Sequence, residues 1–428
     1  MANIAFVLDH EEGHLLPTFK LAARLASRGH AVRYLGLADA EDFVRRQGFE
    51  FSPILEDVFP LGSTKTLRER TRGQDPEEET GPIHGVLGAG EISDEYLISL
   101  IHGRDLGDAV EDTRPDLFLV NSHFVLHALV LSYRFKIPVV LLTPWLRPFP
   151  KTGYTQMIET SLLQLRTAGL ELFSLVQSAD PTARRFQDIA ARFLAMRELI
   201  MCPAELELPR DGQAPPEHEV YHVEASVDLA RRDDRELPWE RLDPNKRLLY
   251  CSVGSQSQLV GREKIARFLG AVVEAATGLA GWQLVLATGG MVGLRDLPPL
   301  PPDAIATGWV PQLPVLERAS AMITHCGLGT VKECIFHGVP MLAVPMMRDQ
   351  PDNAKRIVHH RLGVACDFET VTAGGIAALI RQLDEDPAIR QSVARMQRRF
   401  HEIEDSGVGV QRVEEVLNGK ARPAAGHG

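Results

Sequence analysis

Two stretches of this chain hold side chains whose types and spacing could do chemistry. The first is Asp9-His10-Glu11-Glu12-Gly13-His14, directly after the apolar run Ile4–Leu8. Histidines and carboxylates at a strand end are costly to bury, and a histidine there with a near-neutral pKa can act as a general base. On spacing alone, a solvated polar turn is the favoured reading of this stretch. The second stretch runs from Trp309 to Gln350. There His325-Cys326-Gly327-Leu328-Gly329-Thr330 lies where an apolar run, Ala321–Thr324, hands over to a helix expected from about Gly327 to His337. A helix N-terminus has unpaired N–H groups and the positive dipole end, so it attracts phosphate. Leu328, Val331 and Ile335 share one helical face, and Thr330, Glu333 and His337 share another. A hydroxyl in the first turn and a carboxylate one turn on suit a ligand with phosphate at one end and a diol further along, as in a nucleotide sugar. Glycine-rich strand-to-helix turns also serve simply to turn the chain tightly.

The elements that must position these residues alternate. Ile4–Leu8 reads as a buried parallel strand, His14–Arg28 as a helix with Pro17 in its first turn, and Ala31–Leu37 as the next strand. A helix at about Ala40–Gln47 leads to Phe49–Ile54. Residues 56–92, rich in glycine, proline and charge, read as a long functional loop. A helix near Glu95–Thr113, the strand Leu117–Asn121, a helix near Val125–Arg134 and the strand Ile137–Thr143 follow. Helices at about Thr155–Gln177 and Pro181–Leu199 and a strand Leu199–Cys202 close the first half. After a proline- and charge-rich linker the alternation restarts: Leu248–Val253, Arg262–Thr277, Trp282–Thr288, then the second stretch itself. Helices near Asn353–Arg361, Ala373–Glu385 and Ala388–Glu404 complete it. This pattern predicts an α/β chain with two doubly wound parallel sheets facing a cleft. The expected division is 1–215, a linker 216–246, 247–405, a C-terminal helix 406–419 packing back on the first domain, and a disordered tail 420–428.

The 428 residues exceed what one core normally holds. A net charge of −11 excludes nucleic acid and anionic membrane as natural partners, while a local nest of N–H groups can still hold a small anion. The five cysteines form no Cys-x-x-Cys pair, which argues against a disulfide framework or zinc. The first residues have no basic leader and no run reaches a spanning length, so a cytoplasmic protein without stable membrane insertion is expected. Further candidates stand at strand ends: Val253-Gly254-Ser255 as a second anion-friendly turn, Trp309 as a stacking platform, and Asp349-Gln350 as a pair matched to sugar hydroxyls or, alternatively, a helix cap.

Together, Gly13-His14 with Pro17, Trp309-x-Pro311-Gln312, His325-Cys326-Gly327, Thr330, Glu333 and Asp349-Gln350 resemble glycosyltransferase family 1, the UDP-glycosyltransferases of plants and the bacterial enzymes that glycosylate macrolides and other natural products. The resemblance covers nearly the whole chain. It implies a GT-B fold, two Rossmann-like domains with the donor held mainly by the second. It also implies inverting transfer without metal or cofactor, from a UDP-sugar co-substrate to a hydrophobic small-molecule acceptor; a homodimer is compatible with this. Carried over by position, Trp309 stacks on the nucleobase with Gln312 nearby, and Glu333 binds the ribose. His325, Gly327, Gly329, Thr330 and Ser255 hold the diphosphate, and Asp349 and Gln350 hold the transferred hexose, glucose being favoured. Glu333 favours UDP over a thymidine donor only weakly, because both keep the 3′-hydroxyl.

His14 falls on the family's catalytic base. Many relatives place an aspartate behind it where this chain has Asn121, so either Asp9 or another group substitutes, or the acceptor hydroxyl is acidic enough to need less help. Gly329 stands where plant members carry asparagine. The acceptor pocket is expected from residues 56–92, Ser122–Phe124 and Trp145–Tyr154. Two other functions fit the same residues: a UDP-sugar epimerase or hydrolase, and a donor-binding or partner-activating protein with weak catalysis.

Overall fold

A computed structural model describes residues 1–64, 93–146, 167–209 and 219–419. Most of the expected long loop, the start of the helix expected at Thr155, most of Trp145–Tyr154 and the tail lie outside the described residues.

The N-terminal half is built on β1 (Asn3–Val7), β2 (Ala31–Gly36), β3 (Glu50–Pro53), β4 (Leu117–Asn121), β5 (Val139–Thr143), β6 (Arg197–Ile200) and β7 (Val220–His222). These pair in the order β3-β2-β1-β4-β5-β6-β7, every pair parallel. β4 and β5 are buried along their whole length, as strands covered on both faces must be. The helices are α1 (Glu12–Ser27), α2 (Glu41–Arg46), α3 (Asp94–His102), α4 (Arg104–Thr113), α5 (Val125–Phe135), α6 (Thr167–Ala179) and α7 (Phe186–Leu194).

The C-terminal half repeats the winding with β8 (Arg247–Ser252), β9 (Trp282–Ala287), β10 (Ile305–Thr307), β11 (Ala319–Thr324), β12 (Met341–Ala343) and β13 (Gly363–Ala365). Their order is β10-β9-β8-β11-β12-β13, again parallel throughout. Helices α8 (Arg262–Thr277), α9 (Gln312–Leu316), α10 (Leu328–His337), α11 (Gln350–His359), α12 (Ala373–Glu385), α13 (Pro387–Ser406) and α14 (Val408–Leu417) cover it. Both sheets reverse direction beside their first strand, between β1 and β4 and between β8 and β11. Such a switch point opens a crevice at the carboxyl ends of the strands.

Several local expectations shift for identifiable reasons. α1 starts at Glu12, so Pro17 sits in the second turn, where its missing N–H leaves the Gly13 carbonyl without a helical partner. The helix expected over Glu95–Thr113 breaks at Gly103, where a Cβ would collide with the Ser99 carbonyl. Residues 220–222, placed in the linker, form the edge strand β7, too short to show a pattern. The short β13 and α9 escaped notice for the same reason. α14 lies against α1: Val410 and Val413 share a core with Ile4, Phe6 and Leu25, and Arg28 pairs with Glu414 at 3.1 Å. Among the described residues no helix is long and apolar enough to cross a membrane.

Candidate active site

The register Val7↔Val120 brings the loop after β1 beside the end of β4. Asp9, two residues beyond β1, is only 2% exposed, so this turn is not a solvated one. Its Oδ1 accepts the Glu11 N–H at 2.9 Å. Its Oδ2 lies 2.6 Å from His14 Nδ1 and accepts Asn121 Nδ2 at 3.1 Å. Asn121 does not touch His14. It is fully buried, fixed at its other end by the His123 N–H on Oδ1 at 3.0 Å, and acts on the histidine only through Asp9. Of the two catalytic positions expected, His14 therefore has the carboxylate partner at Asp9, with Asn121 one step behind.

The electrostatics of the pair are opposed but decided. Burial disfavours the imidazolium of His14, yet the charge and hydrogen bond of Asp9, with help from Glu11, outweigh it and raise its pKa from 6.5 to about 9. Burial likewise penalises the Asp9 carboxylate, and the His14 charge and hydrogen bond with the Glu11 N–H still hold it below its ordinary value. His14 Nε2, the nitrogen not bound to Asp9, has the Glu11 carboxylate at 3.9 Å. His123 stacks on Trp145 at 3.8 Å between centroids, and Trp145 lies 5.4 Å from the His14 ring. Burial, reinforced by the nearby His14 charge, pushes His123 down to about 3 and keeps it neutral. Beyond lies a small apolar pocket lined by Val7, Leu8, Gly36, Leu37, Ile54, Leu55, Tyr96, Phe124 and His127. Of the expected acceptor-pocket residues, Phe124 lines this pocket and Trp145 stands beside the base; residues 65–92 and 147–154 lie outside the described residues.

Across the cleft, the register Thr324↔Ser252 juxtaposes the ends of β11 and β8. Gly254 has a positive φ of 75°, and a Cβ there would strike the His325 ring, so both the turn and the close approach require glycine. Ser255, next along, is exposed. Burial lowers His325 to about 4, against a hydrogen bond with the Ser252 backbone, so at neutral pH it is an uncharged donor rather than a cation. Cys326 adopts a left-handed φ of 69°, held by Thr324 Oγ1 on its N–H at 3.0 Å and by Asn353 Nδ2 on its carbonyl at 2.9 Å. Such strain persists only where the surroundings over-determine it. It turns the chain into Gly327, the N-cap of α10, whose first helical hydrogen bond is Val331 N–H to Gly327 O. The N–H groups of Leu328, Gly329 and Thr330 therefore have no helical acceptor. A Cβ on Gly329 would enter open space.

Further along this face, Trp309 is 44% exposed, unusual for so large an aromatic. Gln312 donates Nε2 to Glu333 Oε2 at 2.6 Å and to Thr330 Oγ1 at 3.3 Å, and accepts from the Tyr250 hydroxyl at 3.1 Å. Glu333 also pairs with Arg231 at 2.6 Å. Asp349 stands at the N-cap position of α11 without a side-chain capping bond and accepts Asn353 Nδ2 at 2.8 Å. Gln350 uses its carbonyl oxygen to accept the N–H groups of Met346 and Met347 at 2.9 and 3.0 Å, leaving its NH₂ group for other contacts. Burial raises the Asp349 pKa, while the Asn353 hydrogen bond and the positive charge of His14 pull it down; the two halves of the cleft thus sense each other. Arg348 and Glu11 approach to 3.9 Å across the same gap.

The expected residues thus form two groups, His14 with Asp9 on one wall and Trp309, Gln312, His325, Gly327, Gly329, Thr330, Glu333, Asp349 and Gln350 on the other. Arg231 was missed. It stands in the charge run Arg231-Arg232-Asp233-Asp234-Arg235 and meets Glu333 from 102 residues away, so no local signal marks it.

Comparison with known proteins bears on the fold and the enzyme class. Residues 294–406 match the family model described as UDP-glucoronosyl and UDP-glucosyl transferase. The chain is 27% identical over 438 residues to demethyllactenocin mycarosyltransferase of Streptomyces fradiae, covering 99% of this chain and 88% of that one. It is also 27% identical over 410 residues to oleandomycin glycosyltransferase of Streptomyces antibioticus, covering 92% and 86%. Among solved structures, the glycosyltransferase of kitacinnamycin superposes with a TM-score of 0.70 at 24% identity, covering 99% of both chains. SnogD from Streptomyces nogalater gives 0.70 at 20% identity, covering 97% and 99%, and both share the GT-B fold found here. The chain resembles the UDP-glycosyltransferases over residues 294–406 and is a glycosyltransferase.

Proposed function

We propose that the chain is an inverting, metal-independent O-glycosyltransferase that moves a hexose, glucose foremost, from a UDP-sugar to a hydroxyl of a hydrophobic natural product. The observation that carries this reading is the Asp9–His14 pair beside an apolar pocket, facing Asp349 and the open N-terminus of α10 across the cleft. The printed names of the two Streptomyces relatives support an antibiotic-like acceptor.

In this mechanism the acceptor hydroxyl lies against His14 Nε2, which takes its proton as the oxygen attacks the anomeric carbon. The bond to the diphosphate breaks on the opposite face, so the configuration inverts. Asp9 keeps the Nδ1–H tautomer and stabilises the imidazolium that forms. The N–H groups of residues 328–330, the dipole of α10 and a hydrogen bond from neutral His325 receive the charge that develops on the leaving diphosphate. Trp309 stacks on the base, Glu333 holds the ribose hydroxyls, and Asp349 with the Gln350 amide holds sugar hydroxyls.

The test is incubation of the full chain with phenolic, polyketide and macrolide acceptors and either UDP-glucose or TDP-glucose, in excess chelator, read by mass spectrometry. A product heavier by one hexose, with the anomeric centre inverted, is expected with the uridine donor. His14→Ala should lose about 10²- to 10⁴-fold in rate. Full activity in that variant, or loss of turnover with chelator, would overturn the mechanism. Conversion of the donor with no acceptor present would point instead to an epimerase or hydrolase.

A further inference from the structure

The strap between the two halves is fastened to α1, to Gln47 and to the ends of α13 and α14, the latter lying against α1. Glu224 accepts Arg24 Nη1 at 3.0 Å and the Gly409 N–H at 2.8 Å, and the Ser226 N–H reaches Glu404 at 2.9 Å. Lys20, on the helix that begins beside His14, donates to the Val227 carbonyl at 2.8 Å. Beyond it, the backbone of Arg232 exchanges two hydrogen bonds with the Gln47 side chain, each at 3.0 Å. Between these anchors Arg231 crosses the cleft to Glu333, with only 10% and 11% of the two side chains exposed.

That contact falls on the carboxylate assigned above to the ribose. Arg231 occupies one site on Oε1 and Gln312 one site on Oε2. A carboxylate oxygen can accept twice, so one acceptor site remains on each oxygen, side by side, for two vicinal hydroxyls. The terminal carboxylate torsion of glutamate is soft, and a bond to each oxygen is what fixes its plane. An exposed ion pair would deserve little weight, but this one is nearly sealed and joins segments 102 residues apart.

We propose that Arg231 is a positioning residue of the donor site, contributed by the N-terminal side, which orients the Glu333 carboxylate to receive the 2′- and 3′-hydroxyls of the nucleotide. The proposal rests on the nucleotide-sugar reading above. It makes the ribose subsite a joint product of both halves, so the strap that carries Lys20 and Arg24 contacts also sets nucleotide affinity.

The experiment is calorimetric titration of UDP and of 2′,3′-dideoxy-UDP into the full chain, Arg231→Gln and Arg231→Lys, with donor KM and kcat measured alongside. The unaltered protein should prefer UDP. Arg231→Gln should weaken UDP roughly tenfold, the scale of one lost charge-assisted bond, and leave the dideoxy compound within about twofold, with the change falling on donor KM rather than kcat. Arg231→Lys, which keeps a charge but not the planar fork, should recover part of the loss. Equal weakening of both nucleotides, or no weakening of UDP in either variant, would overturn the proposal. Failure of the unaltered protein to bind either UDP or TDP would instead overturn the functional reading beneath it.

Discussion

Replacing Asp9 by asparagine tests how His14 is made a base. The side chain keeps its shape and loses its charge. Two donors, His14 Nδ1–H and Asn121 Nδ2, converge on the Oδ2 side and one, the Glu11 N–H, on the other, so the amide oxygen of the variant should face His14. The tautomer then survives while the Glu11 N–H faces an NH₂ group. The rise of the His14 pKa from 6.5 to about 9 corresponds to about 3 kcal/mol, or roughly 300-fold in basicity. In the variant burial remains without its counterweight, and the pKa falls below 6.5. At high pH the rate should therefore drop about 20-fold if the proton is half transferred in the transition state, and about 300-fold if it is fully transferred. Near pH 7 only about one imidazole in a hundred is neutral in the unaltered protein, so the two rates should come within a few-fold of each other. The assay is kcat/KM against pH for a fixed donor and acceptor: the ascending limb should move from about 9 to below 6.5, and its plateau should fall. A limb that stays near 9 in the variant would refute the assignment of Asp9 as the source of basicity. Stability follows with a definite sign. The raised His14 pKa makes the pair stabilising below pH 6.5, with the gain lost as pH rises through about 9, and the lowered Asp9 pKa preserves it above pH 3.8. Urea unfolding should show the variant weaker by up to about 3 kcal/mol at pH 6, with the gap closing above pH 9.

Restoring the aspartate of many relatives, Asn121→Asp, should harm rather than help. It would set a second buried carboxylate against Asp9 Oδ2, where an amide now donates at 3.1 Å, and two such charges cannot both persist. A loss of about 3–5 kcal/mol of stability and a lower rate at neutral pH are expected; thermal unfolding and a rate equal to or above that of the unaltered chain would show that Asp9 does not already fill this role. Trp309→Ala should weaken UDP binding by about 1–3 kcal/mol, the worth of base stacking on an aromatic, with little change in melting temperature because the side chain is 44% exposed. Unchanged UDP affinity by calorimetry would remove Trp309 from the donor site.

Most of the donor wall was legible in the sequence because it is local. His325 to Glu333 lie on one strand-to-helix turn and one helix face, and Asp349-Gln350 follow the next strand, so local pattern and the resemblance it carries bring them together. The winding was legible for the same reason, since buried parallel strands are short apolar runs between amphipathic helices. The proposed base, His14, was visible, but what stands in for the usual aspartate, Asp9 or another group, was not. That choice depends on which oxygen faces which donor after β1 and β4 pair, 112 residues apart in the chain. Likewise, the neutral state of His325 comes from burial, the use of Gln350 as a loop brace from a turn at Met346–Met347, and the Arg231–Glu333 pair from a strap crossing between halves. The sequence by itself determined the fold class, and through the resemblance its motifs carry it pointed to the proposed donor turn and to His14, because these are written in patterns of a few consecutive turns. Only the tertiary structure decided the charge states and partners of those groups, because burial and long-range pairing set the electrostatics and neither leaves a trace in local spacing.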